Sequence, residues 1–142
     1  RVVVITGAGS GIGKRLAETI ASRAKNVTLV LLDIDLRALE AVRTALQSKC
    51  RDVFVHQCDV SDDVTVDACF KKVLEQIAPR RIDVLVNNAG IVAGRSLLDL
   101  TPAQIRATFA VNTLAHFWTV RAVLPSMKQD PTRDALIVTV SS

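Results

Sequence analysis

Gly7, Gly11 and Gly13 separate an apolar run from a helical pattern in Val2-Val3-Val4-Ile5-Thr6-Gly7-Ala8-Gly9-Ser10-Gly11-Ile12-Gly13. A strand that turns through glycines into a helix leaves free N–H groups and the positive end of a helix dipole facing outward, which suits an anion. Glycine also lets a ligand come close to the backbone. Asp33 stands 20 residues beyond Gly13 and ends a second apolar run, Val27-Thr28-Leu29-Val30-Leu31-Leu32. A carboxylate there can accept hydrogen bonds from both hydroxyls of an adenosine ribose. The competing reading makes Asp33 a loop residue and leaves Asp35, directly before Leu36, to cap the following helix. Asn112 sits inside a long helical pattern, where asparagine forfeits helix propensity and competes for backbone hydrogen bonds. It follows Ile105 by seven residues, which puts it on the same inward face and favours a functional role. His116 has no His or Cys at ligand spacing, so it reads as a packing residue and no metal site is expected.

The elements that must hold these residues alternate strand and helix. Leu16, Ala17, Ile20 and Ala21 carry the first helix, over about 11–23, and Leu36, Leu39, Val42 and Leu46 line one face of the second. Asp52–Gln57 predicts a third strand, followed by Cys58-Asp59-Val60. Ser61 reads as the next N-cap, before a helix whose apolar face is Val66, Phe70, Val73 and Ile77. Ile82–Val86 makes a fourth strand, leading into Asn87-Asn88-Ala89-Gly90. Thr101-Pro102-Ala103-Gln104 is a capping box with proline at the first helical position. The helix it opens runs to about Met127, with Pro125 loosening the last turn. Ala135–Val140 gives a fifth strand, before Ser141-Ser142.

Repeated strand–helix–strand units predict an α/β fold: a doubly wound parallel sheet of the Rossmann type, strand order 3-2-1-4-5, with helices on both faces. Ligands bind such sheets beyond the carboxyl ends of the strands. Gly7 to Gly13, Asp33, Asp59, Asn87 to Gly90 and Ser142 all fall on that edge.

With 142 residues, 49% of them hydrophobic, the chain suits one domain with a packed core. No apolar run approaches the roughly 18 residues of a membrane span. Cys50, Cys58 and Cys69 are odd in number and lack CxxC spacing, so they read as packing residues in a reducing, cytoplasmic compartment. The chain opens at Arg1 directly before a strand, which leaves a leader or membrane anchor upstream open. The net charge of +4 is spread among 14 acids, which argues against nucleic acid as a partner. Lys71-Lys72 and Arg80-Arg81 read as solvated pairs beside helix ends.

The glycine spacing from Thr6 to Gly13 is TGxxxGxG rather than GxGxxG. Together with Asp59-Val60, Asn87-Asn88-Ala89-Gly90, Asn112 and the closing serine pair, it resembles the short-chain dehydrogenase/reductase family over essentially all 142 residues. Val111-Asn112-Thr113-Leu114-Ala115-His116-Phe117-Trp118 most resembles members acting on retinoids, steroids or other lipophilic alcohols. The resemblance implies that Gly7, Ser10, Gly11, Ile12 and Gly13 form the diphosphate turn. Asp33 would hold the ribose, Asp59 the adenine amino group, and Val60 would lie beside the ring. Asn88, Ala89 and Gly90 would run along the cofactor, with Asn88 also tying strands together. Asn112 would support a proton-relay water, and Ser142 would hydrogen-bond the substrate oxygen.

The expected function is an NAD(H)-dependent oxidoreductase that interconverts an alcohol and a carbonyl on a small-molecule substrate. NAD is favoured over NADP because the Asp33 carboxylate repels a 2′-phosphate, and because Ser10 stands where relatives using NADP often carry a basic residue. The family pairs through helices that include the one opening at Thr101, which implies a homodimer or homotetramer. One feature departs from the family: its proton-donor tyrosine, followed four residues later by lysine, comes after this serine. The chain contains no tyrosine. Residues 1–142 therefore read as the dinucleotide-binding portion of a single domain, truncated after strand five and lacking the Tyr/Lys pair and substrate loop. A fifth strand placed centrally would be poorly covered without further elements downstream. The alternative is a dinucleotide-binding protein without catalysis.

Overall fold

All five residues of the first strand are β-branched, and successive side chains on a strand point to opposite faces, so each face receives every second one. A computed structural model of the chain, describing residues 1–141, shows the consequence. In β1 (Val2–Thr6), Val2 and Val4 enter one apolar cluster while Val3 and Ile5 enter another. Parallel pairing with β2 (Thr28–Asp33) and β4 (Val84–Asn87) puts β1 at the centre. β3 (Asp52–Gln57) and β5 (Leu136–Thr139) complete a five-stranded sheet of order β3-β2-β1-β4-β5.

Helices cover both faces, giving the doubly wound Rossmann-type architecture. Ala17 and Ala21 of α1 (Gly11–Arg23) and Leu39, Val42 and Leu46 of α2 (Leu36–Leu46) pack on Ile5, Leu29 and Leu31. On the opposite face, α3 (Asp63–Ile77) brings Val66, Phe70, Val73 and Ile77 against Val4, Val30, Leu32 and Leu85. Cys58 and Cys69 are buried in this second cluster. α5 (Ala115–Met127) completes it with Ala115, Val123 and Met127.

Some local expectations are corrected. The N-cap of α3 is Asp62, whose carboxylate accepts the Thr65 N–H at 2.8 Å and whose pKa is held down by the Thr65 hydroxyl and by that bond. Ser61 is unavailable as a cap because its N–H and hydroxyl both donate to Asp59 Oδ1. The helix opening at Thr101 has its capping box but is interrupted. α4 (Pro102–Phe109) passes into a π-helical turn, Ala110–Leu114, before α5 continues through Pro125 to Met127. The wider turn interrupts the 3.6-residue facing of α4; Asn112, within it, is exposed, with its amide directed at the Ile91 backbone. β5 takes the expected last place in the described order, and its side chains are the least covered of the sheet, as expected for this strand without further elements packed on it.

Arg81, finally, is buried and not solvated. Its guanidinium donates to the Met127, Arg133 and Asp134 carbonyls and stands 3.3 Å from the buried Asp83 carboxylate. Arg133 joins Asp83 at 2.6 Å, and Asp83 Oδ2 accepts the Val2 N–H at 2.8 Å. This network fastens β1, the start of β4 and the end of α5 at the amino edge of the sheet.

Candidate functional site

The carboxyl edge of the sheet opens into a cavity of about 360 Å³. Gly7, Ser10, Gly11, Ile12, Asp33, Asp59, Val60, Asn88, Ala89 and Gly90 all line it, together with Ile34, Cys58, Ile91 and Val111. Four separate β-ends thus contribute to one concavity, as parallel order requires.

The turn after β1 depends on backbone conformations that side chains disfavour. Gly7 has φ +64° and Gly11 φ +50°. A Cβ on Gly7 would lie 2.8 Å from Ala89 Cα, so the turn touches the chain leaving β4. Gly13 is buried and does not line the cavity. A Cβ there would overlap the Gly7 carbonyl and stand 2.5 Å from Asn88 Nδ2, so this glycine seats α1 beneath the turn.

The starts of α1 to α4 differ in how their free N–H groups are satisfied. Asp35 accepts from Arg37 and Ala38, Asp62 from Thr65, and Thr101 from Gln104. α1 begins at Ser10 with no side-chain cap and no acidic residue in its first turn. Ser10, Gly11 and Ile12 line the cavity at that uncapped end. First-turn N–H groups have no intrahelical acceptor, so this arrangement suits an incoming anion.

Asp33 is positioned from both sides. Oδ2 accepts the Gly9 N–H at 2.8 Å and Oδ1 the Asp35 N–H at 3.0 Å. Each oxygen retains a further lone pair for a hydroxyl. Gly9 fits because a Cβ would press on Asp33 Oδ2 and Ala38 Cβ, both at 3.0 Å. Asp59 has one oxygen engaged by Ser61.

Thr6 is the unforeseen centre of the β1–β4 junction. Its Oγ1 accepts the N–H groups of Asn88 and Ala89, both at 3.0 Å. Asn88 Nδ2 donates back to the Thr6 and Gly7 carbonyls at 3.0 and 3.1 Å. The Asn112 amide holds the cavity-lining Ile91: Nδ2 donates to the Ile91 carbonyl and Oδ1 accepts the Ile91 N–H, each at 2.9 Å. Asn112 therefore fixes the chain leaving β4 from within the π turn, a role that pattern reading alone did not supply. Val111, beside it, lines the cavity. Ser142 lies outside the described residues. Among the described residues no cluster of His, Cys, Asp and Glu could hold a metal ion.

This fold and edge define a class, and comparison with known proteins agrees. The sequence profile of short chain dehydrogenase matches residues 1–142, and the chain belongs to that family. It is 41% identical to human estradiol 17-beta-dehydrogenase 11, over 99% of the chain and 45% of that protein. It is 37% identical to retinol dehydrogenase 10-B of Danio rerio, over 100% of the chain and 46% of that protein. The chain spans about half the length of these curated relatives. Among solved structures, a short chain dehydrogenase/reductase from Burkholderia phymatum in complex with NAD superposes with TM-score 0.88 at 34% identity, covering 100% of this chain and 49% of that one. An alcohol dehydrogenase from Thermococcus sibiricus complexed with 5-hydroxy-NADP also gives TM-score 0.88, at 32% identity, covering 100% and 58%.

Proposed function

We propose that this chain is the cofactor-holding part of a nicotinamide-dependent oxidoreductase that interconverts an alcohol and a carbonyl. The observation that carries the reading is that the uncapped start of α1, at Ser10, opens into the same cavity as the backbone-held Asp33 carboxylate. The glycine cradle fits the group: a Cβ on Gly7 or Gly9 would fill space next to Ala89 or Asp33. The N–H groups at the start of α1 would bind diphosphate oxygens, and Asp33 would accept the ribose hydroxyls. Asp59 would receive the adenine amino group, with Val60 against the ring. Asn88, Ala89 and Gly90 would wall the remainder, anchored through Thr6. When bound, a nicotinamide ring accepts or donates the hydride.

NAD rather than NADP is the proposed cofactor, because an added 2′-phosphate would meet the Asp33 charge. A lipophilic alcohol is the proposed substrate class, supported by the names of the retinol and estradiol relatives. Asn112 would hold the wall beside the substrate, and Ser142 would bind its oxygen. A homodimer or homotetramer is supported by Phe109 and Phe117, 61% and 65% exposed on the interrupted helix. A reducing, cytoplasmic setting is supported by three free cysteines.

Michaelis constants for NAD and NADP with lipophilic alcohols, measured on the full-length protein, test the reading. Lower values for NAD support it, and NADP preference overturns the role of Asp33. Cofactor binding with no turnover of any alcohol or carbonyl by the full-length protein would select dinucleotide binding without catalysis instead.

A further inference from the structure

The turn between β2 and α2 carries Asp33, and the end of β3 holds that turn. Asp33 pairs with Gln57 in the last rung of the β2–β3 ladder. Beyond this rung the two strands stay joined. The Cys58 N–H donates to the Asp33 carbonyl at 2.9 Å, and Gln57 Nε2 donates to the Ile34 carbonyl at 2.9 Å. A side chain thus adds one more bond after the ladder has ended. The Ile34 carbonyl belongs to the same planar peptide unit as the Asp35 N–H. That N–H is the group that donates to Asp33 Oδ1 at 3.0 Å. One rigid plane is therefore held at one end by Gln57 and grips the Asp33 carboxylate with the other. Donation to its oxygen also polarises the unit, which strengthens its N–H as a donor. The Ile34 side chain is 63% exposed and lines the cavity, so packing does little to fix the plane.

We propose, resting on the dinucleotide reading of the site, that Gln57 is a positioning residue for coenzyme choice. Through the Ile34–Asp35 peptide plane it aims the Asp33 carboxylate at the ribose, and so sets the discrimination between NAD and NADP. Gln57 itself lies outside the cavity lining, so it acts on the coenzyme through the turn. Two bonds, from Gly9 to Oδ2 and from Asp35 to Oδ1, fix the plane of the carboxylate. Without the Gln57 bond, water takes the Ile34 carbonyl and the peptide plane is free to turn. The Asp35 N–H then loses its fixed aim, and Oδ1 loses one of its two anchors. A carboxylate held less firmly presents its free lone pairs to the ribose hydroxyls less often, which weakens NAD. NADP draws nothing from that aim, because its 2′-phosphate opposes the same charge. A carboxylate able to swing aside costs NADP nothing.

Gln57→Met keeps the length of the side chain and removes its N–H, whereas Gln57→Lys keeps a donor of similar reach. Gln57 is exposed, so neither change should move the urea midpoint. Affinities for NAD and NADP are measured calorimetrically on the full-length protein and both variants, and amide hydrogen exchange is followed at Asp35 without coenzyme. In Gln57→Met, NAD affinity should fall about fivefold while NADP affinity holds. The Asp35 amide should exchange about threefold or more faster in Gln57→Met, and at the unaltered rate in Gln57→Lys. An equal loss for both coenzymes overturns the proposal, since a merely structural contact would weaken them alike. So does unchanged NAD affinity, unchanged Asp35 exchange in Gln57→Met, or exchange as fast in Gln57→Lys as in Gln57→Met. Unaltered protein that binds neither coenzyme, or prefers NADP, strikes the dinucleotide reading instead, and this is seen before any variant is compared.

Discussion

The two edges of the sheet spend their polar groups in opposite ways. At the amino edge, the Asp83 carboxylate is taken up by Arg81, Arg133 and the Val2 N–H, and Asp52 by Arg80 and Thr28. Positive and negative side chains close on each other there. At the carboxyl edge, Asp33 and Asp59 are held by neighbouring N–H groups and a serine hydroxyl. No arginine or lysine bonds to either among the described residues, and the start of α1 lacks a cap. One edge is a clasp and the other is a receptor, as expected when ligands bind at strand carboxyl ends.

Substitutions that separate stability from binding sharpen this contrast. Asp83→Ala strands the buried Arg81 charge and should cost about 3–5 kcal/mol in urea unfolding. A cost under about 1 kcal/mol would mean that the clasp is no more than a surface contact. Gly13→Ala forces a methyl group against Gly7 and Asn88, and should lose about 1–3 kcal/mol of stability together with cofactor affinity. Loss of stability alone would detach the seating of α1 from the site. Thr101→Ala removes the capping box of α4 and should cost about 1 kcal/mol without changing dinucleotide affinity. The smallest effect is one of pH. The Arg80 hydrogen bond holds the Asp52 pKa below its ordinary value. The stability this contributes is present above the unfolded carboxylate value and is lost as pH falls through the lowered one. Asp52→Asn should therefore flatten the acid limb of the stability curve, and an unchanged limb would count against the Arg80 pair.

Much of this architecture was legible in the sequence, because strand spans and helix faces follow from local periodicity and strand order from the crossover rules of repeated strand–helix–strand units. Val2–Ile5 and the Leu39, Val42, Leu46 stripe each announce a buried face without reference to the rest of the chain. The same holds for the gathering of Gly7, Asp33, Asp59 and Asn88 at one edge, which is a property of parallel order. What stayed hidden depends on distant partners. Thr6 becomes a hub only when β4 lies alongside, and Gly13 is constrained by Asn88, far along the chain. Arg80-Arg81 has the sequence of an exposed pair, and Arg81 is taken up by partners far along the chain, at the end of α5 and at Arg133 and Asp134 before β5. The π turn at Ala110–Leu114 has no sequence signature, and it is coupled to a bond from Asn112 to Ile91 that periodicity does not reveal.

The most direct measurement is a calorimetric titration of NAD into the full-length protein beside its Asp33→Asn variant. Saturable binding to the unaltered protein is expected, weakened about tenfold in the variant, with both unfolding at similar urea concentrations. No heat with the unaltered protein, or equal affinity in both, would contradict it.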